Sequence, residues 1–394
     1  MIGGIPLPLS LETNHLLMVG ATGTGKTNAQ MELLEAAIAR GDRVVVVDPD
    51  GVALSRFGRP GDVVLNPFDK RSARWSLFNE IKGRQDYDRV AAAVVPISGS
   101  SGSDNEWRMY AKQMLADILS AMASSGEELN IDRLVWWANE APRAELRQLL
   151  AGTGSAGLFQ PDAGKALDST RFVLANFLRA QLNCTPGNFS LQEWVVKGKG
   201  NLYLTWRDDM LASLKPLVCC WLELLVSSVL SSPPQQRRLW LFIDELGSLE
   251  RMASLESALT KGRKYGLRVV ACLQAVSQLA DTYGPRKAET LRSCFRSLLA
   301  LGGSATDADT AEAMSKGLGE AEQDEDQTST ARSGNGRTVT TATHVRLRRV
   351  VMASEIQMLA ANQGYLKLAG PFPVALVMVK LCKLPARIKP FLER

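Results

Sequence analysis

A glycine-rich segment near the beginning of the chain limits the possible folds more than any other feature. It follows the apolar run Leu16–Val19 and precedes a helical pattern over residues 28–40, so the local order is strand, tight turn, helix. The segment fits G-x-x-x-x-G-K-[S/T] at every fixed position. Its residues are Gly20, Ala21, Thr22, Gly23, Thr24, Gly25, Lys26 and Thr27. We predict an α/β fold with a nucleoside triphosphate site at this turn.

The residue types in this turn suit phosphate binding. Glycine adopts backbone angles that other residues disfavour, so Gly20, Gly23 and Gly25 would let the turn aim successive N–H groups at a phosphate chain. The start of the following helix adds the positive end of its dipole. Lys26 would neutralise the β- and γ-phosphates, and Thr27 would place a hydroxyl group on Mg²⁺.

The composition is that of an ordinary soluble globular protein. The 394 residues are 45% hydrophobic and 22% charged, which allows two or three domains. The net charge of +5 permits an anionic partner without demanding one. Six cysteines without a C-x-x-C pair argue against zinc and indicate a reducing compartment. The apolar stretch over residues 211–230 contains Lys215, Pro216 and Glu223, so we predict a buried helix there rather than a membrane span.

Strand and helix signals divide the chain into three parts. A β-branched run over residues 43–48 predicts a strand buried on both faces of a parallel sheet. It ends in Asp48, which either lies near the nucleotide or caps a turn. Strand signals disappear from residue 79 and return near residue 201. We therefore predict a nucleotide-binding motor domain in two parts, residues 1–78 and 186–394, with an all-α domain inserted at residues 79–185. The nearly balanced charges of the insert make it a poor candidate for gripping duplex DNA.

The insert carries three tryptophans with open roles. Aromatic side chains stack on unpaired bases, but they also fill cores. For Trp136 and Trp137 we favour core packing. Trp107 precedes Arg108, and this pair suits contact with nucleic acid or with another subunit as well as simple packing.

A second strong motif is an apolar strand over residues 239–243 that ends in Asp244 and Glu245. Asp244 would hold Mg²⁺ through its water shell, and Glu245 would polarise the attacking water as a general base. Two acidic residues after a strand are by themselves consistent with a surface turn. Together with the glycine-rich turn they predict a hydrolytic site.

Two further residues extend this site. Gln274 follows the strand over residues 267–273, where its amide could hydrogen-bond the γ-phosphate or cap the strand. Arg263 lies in the basic turn before that strand, and it is either an arginine finger offered to the nucleotide of a neighbouring subunit or a solvated charge.

The last part of the chain contains a polar segment. Residues 320–343 combine an acidic block with Ser, Thr, Gly and Arg, and their low apolar content predicts a mobile loop. Arg346, Arg348 and Arg349 are expected to begin a last strand. Residues 365–369 and 374–381, joined by a Gly-Pro-Phe-Pro turn, predict a closing hairpin.

These motifs resemble those of one protein family, both in their order along the chain and in their residue sequences. Residues 20–26 (GATGTGK), 240–246 (WLFIDEL) and 258–264 (ALTKGRK) are similar to the type IV secretion coupling proteins, in particular the TraD/TrwB group of conjugation ATPases. The resemblance covers nearly the whole chain, and the last two segments are quite specific.

The resemblance implies a RecA/FtsK-like P-loop motor domain with a membrane-distal all-α domain, assembled as a homo-hexameric ring. It implies ATP and Mg²⁺, and hydrolysis coupled to moving single-stranded DNA with an attached relaxase to the type IV secretion channel. It implies a location at the cytoplasmic face of the bacterial inner membrane, through an anchor absent from this chain. Matching the motifs gives Lys26, Thr27, Asp244, Glu245 and Gln274 the roles argued above. Arg263 takes the position of a trans-acting arginine.

Two alternatives remain open. The first is a duplex-DNA translocase of the FtsK/HerA type, within the same superfamily of motors. The second is a nucleotide-gated adaptor that recruits protein substrates and barely hydrolyses, against which Glu245 argues because a switch does not need a well-placed base. A GTPase is disfavoured because no N-K-x-D motif is present to read guanine.

Overall fold

The protein is described by a computed structural model over residues 1–97, 103–234, 238–333 and 336–394. In these ranges the chain forms eleven β-strands, numbered in chain order. They are β1 (Leu16–Val19), β2 (Arg43–Pro49), β3 (Val63–Leu65), β4 (Leu202–Trp206), β5 (Leu239–Ile243), β6 (Leu267–Leu273), β7 (Ser297–Leu301), β8 (Glu320–Ser333), β9 (Gly336–Arg349), β10 (Gln363–Lys367) and β11 (Ala375–Met378).

The helices of the described ranges are also numbered in chain order. They are α1 (Lys26–Ala39), α2 (Val52–Phe57), α3 (Gln85–Val94), α4 (Ser103–Ser125), α5 (Ile131–Val135), α6 (Arg143–Leu149), α7 (Gly164–Leu178), α8 (Leu191–Lys197), α9 (Asp208–Ser231), α10 (Leu255–Lys261), α11 (Ser277–Tyr283), α12 (Pro285–Cys294), α13 (Ala308–Leu318) and α14 (Ala353–Gln357). Short 3₁₀ turns join several of them.

A central sheet of nine strands organises the described part of the chain, in the order β11-β10-β7-β1-β6-β5-β2-β4-β3. The pairs from β7 to β3 are parallel, while β10 pairs antiparallel with both β7 and β11. The carboxyl ends of β1, β6 and β5 are therefore neighbours at one edge of the sheet, which is where open α/β sheets bind ligands. The predicted α/β class with a mainly parallel sheet is confirmed.

The central strands of the sheet are buried on both faces. In β2, Val44 and Val46 point into a core that includes α1, whereas Val45 and Val47 point into the larger core on the opposite face. All four are at most 2% exposed, so the strand is apolar throughout, as expected of a parallel strand covered on both faces.

The segment between β3 and β4 is helical. Helices α3 to α8 lie there, and the described residues of this segment contain no named strand. The two ends of the segment touch, because Trp75 and Phe189 form a β-bridge and the Phe189 amide donates to the Arg74 carbonyl at 3.1 Å. An inserted helical region is therefore present, while its treatment as a separate domain of residues 79–185 stays a prediction.

Helix α9 is long and apolar enough to cross a membrane by length and composition, and it is the one such helix among the described residues. Most of its apolar side chains are buried inside the protein, among them Leu217, Trp221 and Leu225. The prediction of a buried helix in this stretch is confirmed.

The polar segment after α13 differs from its prediction. Residues 320–343 are expected to form a mobile loop, but β8 and β9 pair along their whole length as an antiparallel hairpin, from Glu320 opposite Arg349 to Ser333 opposite Gly336. Arg349 forms ion pairs with Glu320 at 2.8 Å and with Glu312 at 3.1 Å. Backbone hydrogen bonds pair the two strands, Arg349 and Glu320 add an ion pair between them at one end, and the described side chains of the hairpin are mostly exposed. The low apolar content therefore led to a wrong prediction, because these strands pair with each other while their described side chains face solvent. The arginines at 346–349 end β9 rather than beginning a new strand.

The closing hairpin is confirmed as β10 and β11. After β11 the chain runs back across α2 and the segment that follows β3. Arg56 donates to the Cys382 carbonyl at 2.9 Å, and Arg71 donates to the Lys389 carbonyl at 2.7 Å. The end of the chain is thereby tied to the first part of the α/β fold.

Candidate nucleotide-binding site

A cleft of about 650 Å³ opens at the carboxyl edge of the sheet. It lies where the loop between β1 and α1 meets the ends of β5 and β6. Five of the predicted site residues that carry functional side chains line this cleft: Lys26, Thr27, Asp244, Glu245 and Gln274. The fold therefore brings together two motifs that are distant in sequence.

The glycine-rich turn owes its shape to two different properties of glycine. Gly25, which precedes α1, has φ of 109°, in the region that favours glycine. Gly20 does not have a positive φ. A Cβ there would lie 2.7 Å from Thr24 Oγ1 and 2.8 Å from Leu301 Cβ, so close packing excludes a side chain. The expectation of unusual backbone angles therefore fits Gly25 and Gly23 (φ 80°) but not Gly20.

Lys26 folds back over the turn. Its Nζ donates to the carbonyls of Gly20 at 2.7 Å and Ala21 at 3.0 Å, and the residue is 9% exposed. Burial lowers the pKa of Lys26, while the nearby Glu245 and Asp244 carboxylates act in the opposite direction. A cation held inside the loop in this way is placed to neutralise phosphate oxygens.

Thr27 and Asp244 form a pair of oxygen ligands. Thr27 Oγ1 donates to the Asp244 carboxylate at 3.3 and 3.4 Å. Burial raises the pKa of Asp244, while the Thr27 hydrogen bond and the Lys26 charge oppose the shift. Within the described residues no group of three or more His, Cys, Asp or Glu side chains could hold a metal. One hydroxyl and one carboxylate fit Mg²⁺, which keeps several waters and shares phosphate oxygens.

Glu245 is placed as a proton acceptor. Its Oε1 is buried, and none of the described residues forms a hydrogen bond to it. Burial raises the pKa of Glu245, while the Gln274 side chain and Lys26 oppose the shift. A carboxylate with a raised pKa and a free oxygen in a cleft suits general base catalysis.

Gln274 connects this carboxylate to the glycine-rich loop. Thr22 Oγ1 donates to Gln274 Oε1 at 3.4 Å, and the Gln274 side chain interacts with Glu245. Gln274 follows the end of β6 and lines the cleft, while its hydrogen bond to a γ-phosphate stays a prediction.

Asp48 has the second of its two expected roles. Its carboxylate accepts hydrogen bonds from the amides of Ala53 at 2.9 Å and Leu54 at 2.7 Å, so it caps the start of α2. The side chain is absent from the cleft lining, although Asp50 contributes to it. Burial raises the pKa of Asp48 to about 7.

Arg263 does not lie in this cleft. It is exposed in the short turn before β6, at the amino end of the strand. Gln274 follows the carboxyl end of the same strand, and seven residues of strand span about 23 Å. Arg263 is therefore too far away to reach the nucleotide site of its own chain.

Trp107 and Arg108 lie on α4, also away from the cleft. The guanidinium of Arg108 donates to the Pro96 carbonyl at 3.0 Å and lies 5.2 Å from the centre of the Phe177 ring. These contacts give Arg108 a packing role, while half-buried Trp107 contacts Tyr110. Their predicted contact with nucleic acid stays a prediction. Trp137 is 6% exposed, as core packing requires.

Sequence reasoning missed several residues of the cleft. Asn362, Trp206, Asp208 and Leu381 all line it. Trp206 ends β4, so the rule that ligands bind at the carboxyl ends of strands could have indicated it. Asn362 and Leu381 carry no local signal, because they reach the cleft only through the antiparallel edge of the sheet.

Comparison with known proteins gives a consistent result. A family model described as the type IV secretion-system coupling protein DNA-binding domain matches residues 1–380. The chain is 28% identical to the coupling protein TraD of Escherichia coli (strain K12) and spans 56% of the length of TraD. It is 29% identical to a probable conjugal transfer protein, TraG, of Sinorhizobium fredii and spans 61% of it.

Solved structures of coupling proteins are also similar to this chain. The bacterial conjugative coupling protein TrwBdeltaN70 is 43% identical, with a TM-score of 0.93, over 100% of this chain and 91% of that chain. The plasmid coupling protein TrwB in complex with ADP and Mg²⁺ matches with a TM-score of 0.92 at the same identity and coverage. Together with the sheet topology and the glycine-rich turn, these matches show that the chain belongs to the family of type IV secretion-system coupling proteins.

Proposed function

We propose that this chain is the ATP-hydrolysing motor of a conjugative coupling protein. The observation that carries the proposal is the meeting of Lys26, Thr27, Asp244, Glu245 and Gln274 in one cleft. The comparisons support it, because the related TrwB has been solved with ADP and Mg²⁺ and with a non-hydrolysable ATP analogue.

Each side chain then has one task. The loop amides and Lys26 hold the β- and γ-phosphates, and Thr27 with Asp244 would hold Mg²⁺, which supplies charge neutralisation at the phosphates. Glu245 accepts the proton of the attacking water through its free Oε1. Gln274 lies between Glu245 and Thr22, where it would sense the γ-phosphate.

The transported substrate is proposed from the family. The motor would move single-stranded DNA with its attached relaxase towards the type IV secretion channel, at the cytoplasmic face of the bacterial inner membrane. A homo-hexamer would carry out this transport, as the family resemblance implies, and Arg263, which lies away from its own cleft, would act on the nucleotide of a neighbouring copy. The family model, described as a DNA-binding domain, supports the DNA part of this proposal.

The hydrolytic site is tested with two substitutions. Lys26→Ala should abolish both ATP binding and hydrolysis. Glu245→Gln should retain ATP binding but lose about 10²-fold or more in turnover, since it removes the proton acceptor and leaves the phosphate contacts. The measurements are steady-state phosphate release and equilibrium binding of ATP, with the exposed Lys165→Ala as a control that should match the wild type. Full activity in Lys26→Ala would overturn the site assignment.

DNA dependence separates this proposal from its alternatives. Single-stranded DNA should raise ATP turnover more than duplex DNA does. A preference for duplex DNA would favour a translocase of the FtsK/HerA type. Slow turnover that ignores both kinds of DNA at all protein concentrations would favour a nucleotide-gated adaptor.

A further inference from the structure

Most of the net charge of this protein lies in one short segment, residues 380–394, which we call the basic strap. The strap carries five basic side chains and one acidic side chain, so it contributes +4 to the net charge of +5 of the whole chain. These residues are all exposed, and they are Lys380, Lys383, Arg387, Lys389 and Arg394, with Glu393 as the acidic one. Because the rest of the chain is nearly neutral, an anionic partner would be attracted mainly to the strap.

The strap has a fixed path over the α/β fold. The amides of Arg387 and Ile388 donate to the Ser55 carbonyl of α2 at 2.7 and 3.2 Å. Farther along, the Lys70 amide donates to the Leu392 carbonyl at 2.8 Å. The strap therefore differs from an unstructured basic tail, because its cations are held at defined places on α2 and on the segment after β3.

Two further exposed cations lie beside the strap. Arg59 follows Gly58, where a Cβ would lie 2.7 Å from Ile388 Cδ1. Lys70 is bound to the strap through its amide. We use the name basic surface for five exposed residues, which are Arg59, Lys70, Lys383, Arg387 and Lys389.

The carboxylates near the basic surface already have other partners. Asp69 is 0% exposed and pairs with Arg71 at 2.6 Å. Glu393 pairs with Arg207 at 2.9 Å. Asp62 accepts hydrogen bonds from two backbone amides, at 2.9 and 2.8 Å. Within the described ranges of the chain, the side chains of the basic surface form no ion pair, so the surface keeps a positive field.

The surroundings of these cations fit a lipid surface better than nucleic acid. Ile388 is 38% exposed between Arg387 and Lys389, and an aliphatic side chain among cations is typical of segments that lie on anionic membranes. Sites for single strands stack bases on aromatic rings. The one aromatic residue of the strap, Phe391, is half-buried, and the Arg207 guanidinium lies 5.2 Å from its ring centre.

We propose that the basic surface docks the protein on a bilayer of anionic lipids, with the cations at the headgroup phosphates and Ile388 at the acyl boundary. The contact is peripheral and adds an interaction surface to the motor. It does not depend on the proposed function, because none of the five cations lines the nucleotide cleft.

Vesicle sedimentation tests this contact. The whole chain is mixed with vesicles of phosphatidylglycerol and phosphatidylcholine in equal amounts, and with vesicles of phosphatidylcholine alone. It should bind the anionic vesicles and not the neutral ones. Binding should fall as the salt concentration rises from about 0.05 to 0.5 M, because salt screens exposed charges.

Charge reversal locates the contact on the protein. Lys383→Glu combined with Lys389→Glu should weaken binding to anionic vesicles about tenfold or more, since each basic residue near such a surface contributes about fivefold in affinity. The matched control is Lys165→Glu combined with Lys316→Glu, which makes the same change in net charge at exposed positions on α7 and α13. The control should stay within about twofold of the wild type, because those charges lie away from the basic surface.

DNA is the competing partner for a basic surface. The affinity for a short fluorescent oligonucleotide, single-stranded and duplex, is measured for the same variants. Reversal of Lys383 and Lys389 should change the DNA affinity less than the vesicle affinity. An equal or larger loss of DNA affinity would assign the surface to nucleic acid and overturn the inference.

Hydrogen exchange on the wild-type chain gives a measurement without a variant. Anionic vesicles should slow exchange at the amides of residues 383–390, and neutral vesicles should not. The inference would also be overturned by equal binding to both kinds of vesicle, by binding to neither, by an equal loss in the control variant, or by unchanged exchange at residues 383–390.

Discussion

His15 is buried immediately before β1, and its ring connects three parts of the fold. The Val269 amide donates to Nδ1 at 3.0 Å, and Nε2 lies 3.0 Å from the Leu259 carbonyl. One ring nitrogen accepts while the other faces an acceptor, so this pairing requires the neutral ring with its proton on Nε2. Burial lowers the pKa of His15 to about 4.

This pairing predicts a pH dependence of stability. The unfolded chain takes up the His15 proton near the ordinary pKa of about 6.5, before the folded chain does. The His15 contribution is therefore complete above pH 6.5 and is lost as the pH falls towards 4. It amounts to roughly 3 kcal/mol at most. Chemical unfolding of wild type and His15→Gln between pH 4 and 8 should show a difference that shrinks as the pH falls.

The matched control is the other histidine, His344, which is exposed on β9. His344→Gln should follow the wild-type curve throughout. The pKa of Asp48 is raised to about 7, so its contribution to the free energy of unfolding changes in the same pH range with the opposite sign. Subtracting the His15→Gln curve from the wild-type curve removes this contribution and isolates that of His15. A constant offset between wild type and His15→Gln at every pH would contradict the prediction.

At the scale of elements, one carboxylate joins the two ends of the helical insert. Glu80 is 0% exposed. Its oxygens accept from Trp75 Nε1 at 2.8 Å and from the amides of Leu191 at 2.7 Å and Gln192 at 3.0 Å. The side chain thus caps the start of α8. It also holds the segment that leads into the helical insert against the segment that leads out of it.

Replacing this carboxylate should loosen the connection. Glu80→Gln puts an NH₂ donor against donors, so one buried amide loses its partner, at a cost of about 1–3 kcal/mol. Glu193→Gln is the control, since that glutamate is 59% exposed and pairs with Lys82, and its loss should change the stability little because solvent screens an exposed pair. Thermal unfolding and limited proteolysis near residues 80 and 190 provide the measurement. Equal stability of the two variants would show that Glu80 does not act as a cap.

The hairpin of β8 and β9 shows why an exposed hairpin is hard to predict from sequence. An apolar alternation indicates a strand only when one face is buried. Here the described side chains of both strands are largely exposed, including Val345 at 62% and Leu347 at 67%. Pairing therefore depends on the partner strand rather than on the pattern of either strand alone.

At the scale of the whole molecule, we predict that a second copy completes the site. Arg263 lies at the opposite end of β6 from Gln274, so a catalytic role for it would need the nucleotide of a neighbouring subunit. Arg263→Ala should leave ATP binding to the isolated chain unchanged and lower turnover by about 10³-fold, the usual contribution of an arginine finger. The neighbouring Lys264→Ala is the control, since it changes charge at the same surface.

Mixing variants gives the decisive measurement for this trans arrangement. Lys26→Ala keeps its arginine and Arg263→Ala keeps its nucleotide site, so a mixture of the two should recover turnover that neither shows alone. Turnover of the wild type should also rise steeply with protein concentration. Activity independent of concentration, or no recovery in the mixture, would contradict a site shared between copies.

Sequence alone determined the parts that depend on neighbours along the chain. The phosphate loop, the apolar strand before Asp244 and Glu245, and the buried β2 strand follow from local spacing and periodicity, which act over a few residues. Tertiary structure decided which distant residues share a space. Asn362 and Leu381 join the cleft, Glu80 joins the two ends of the insert, and Arg263 is excluded from its own site. These placements depend on the order of strands in the sheet, and strand order is a long-range property that no local pattern encodes.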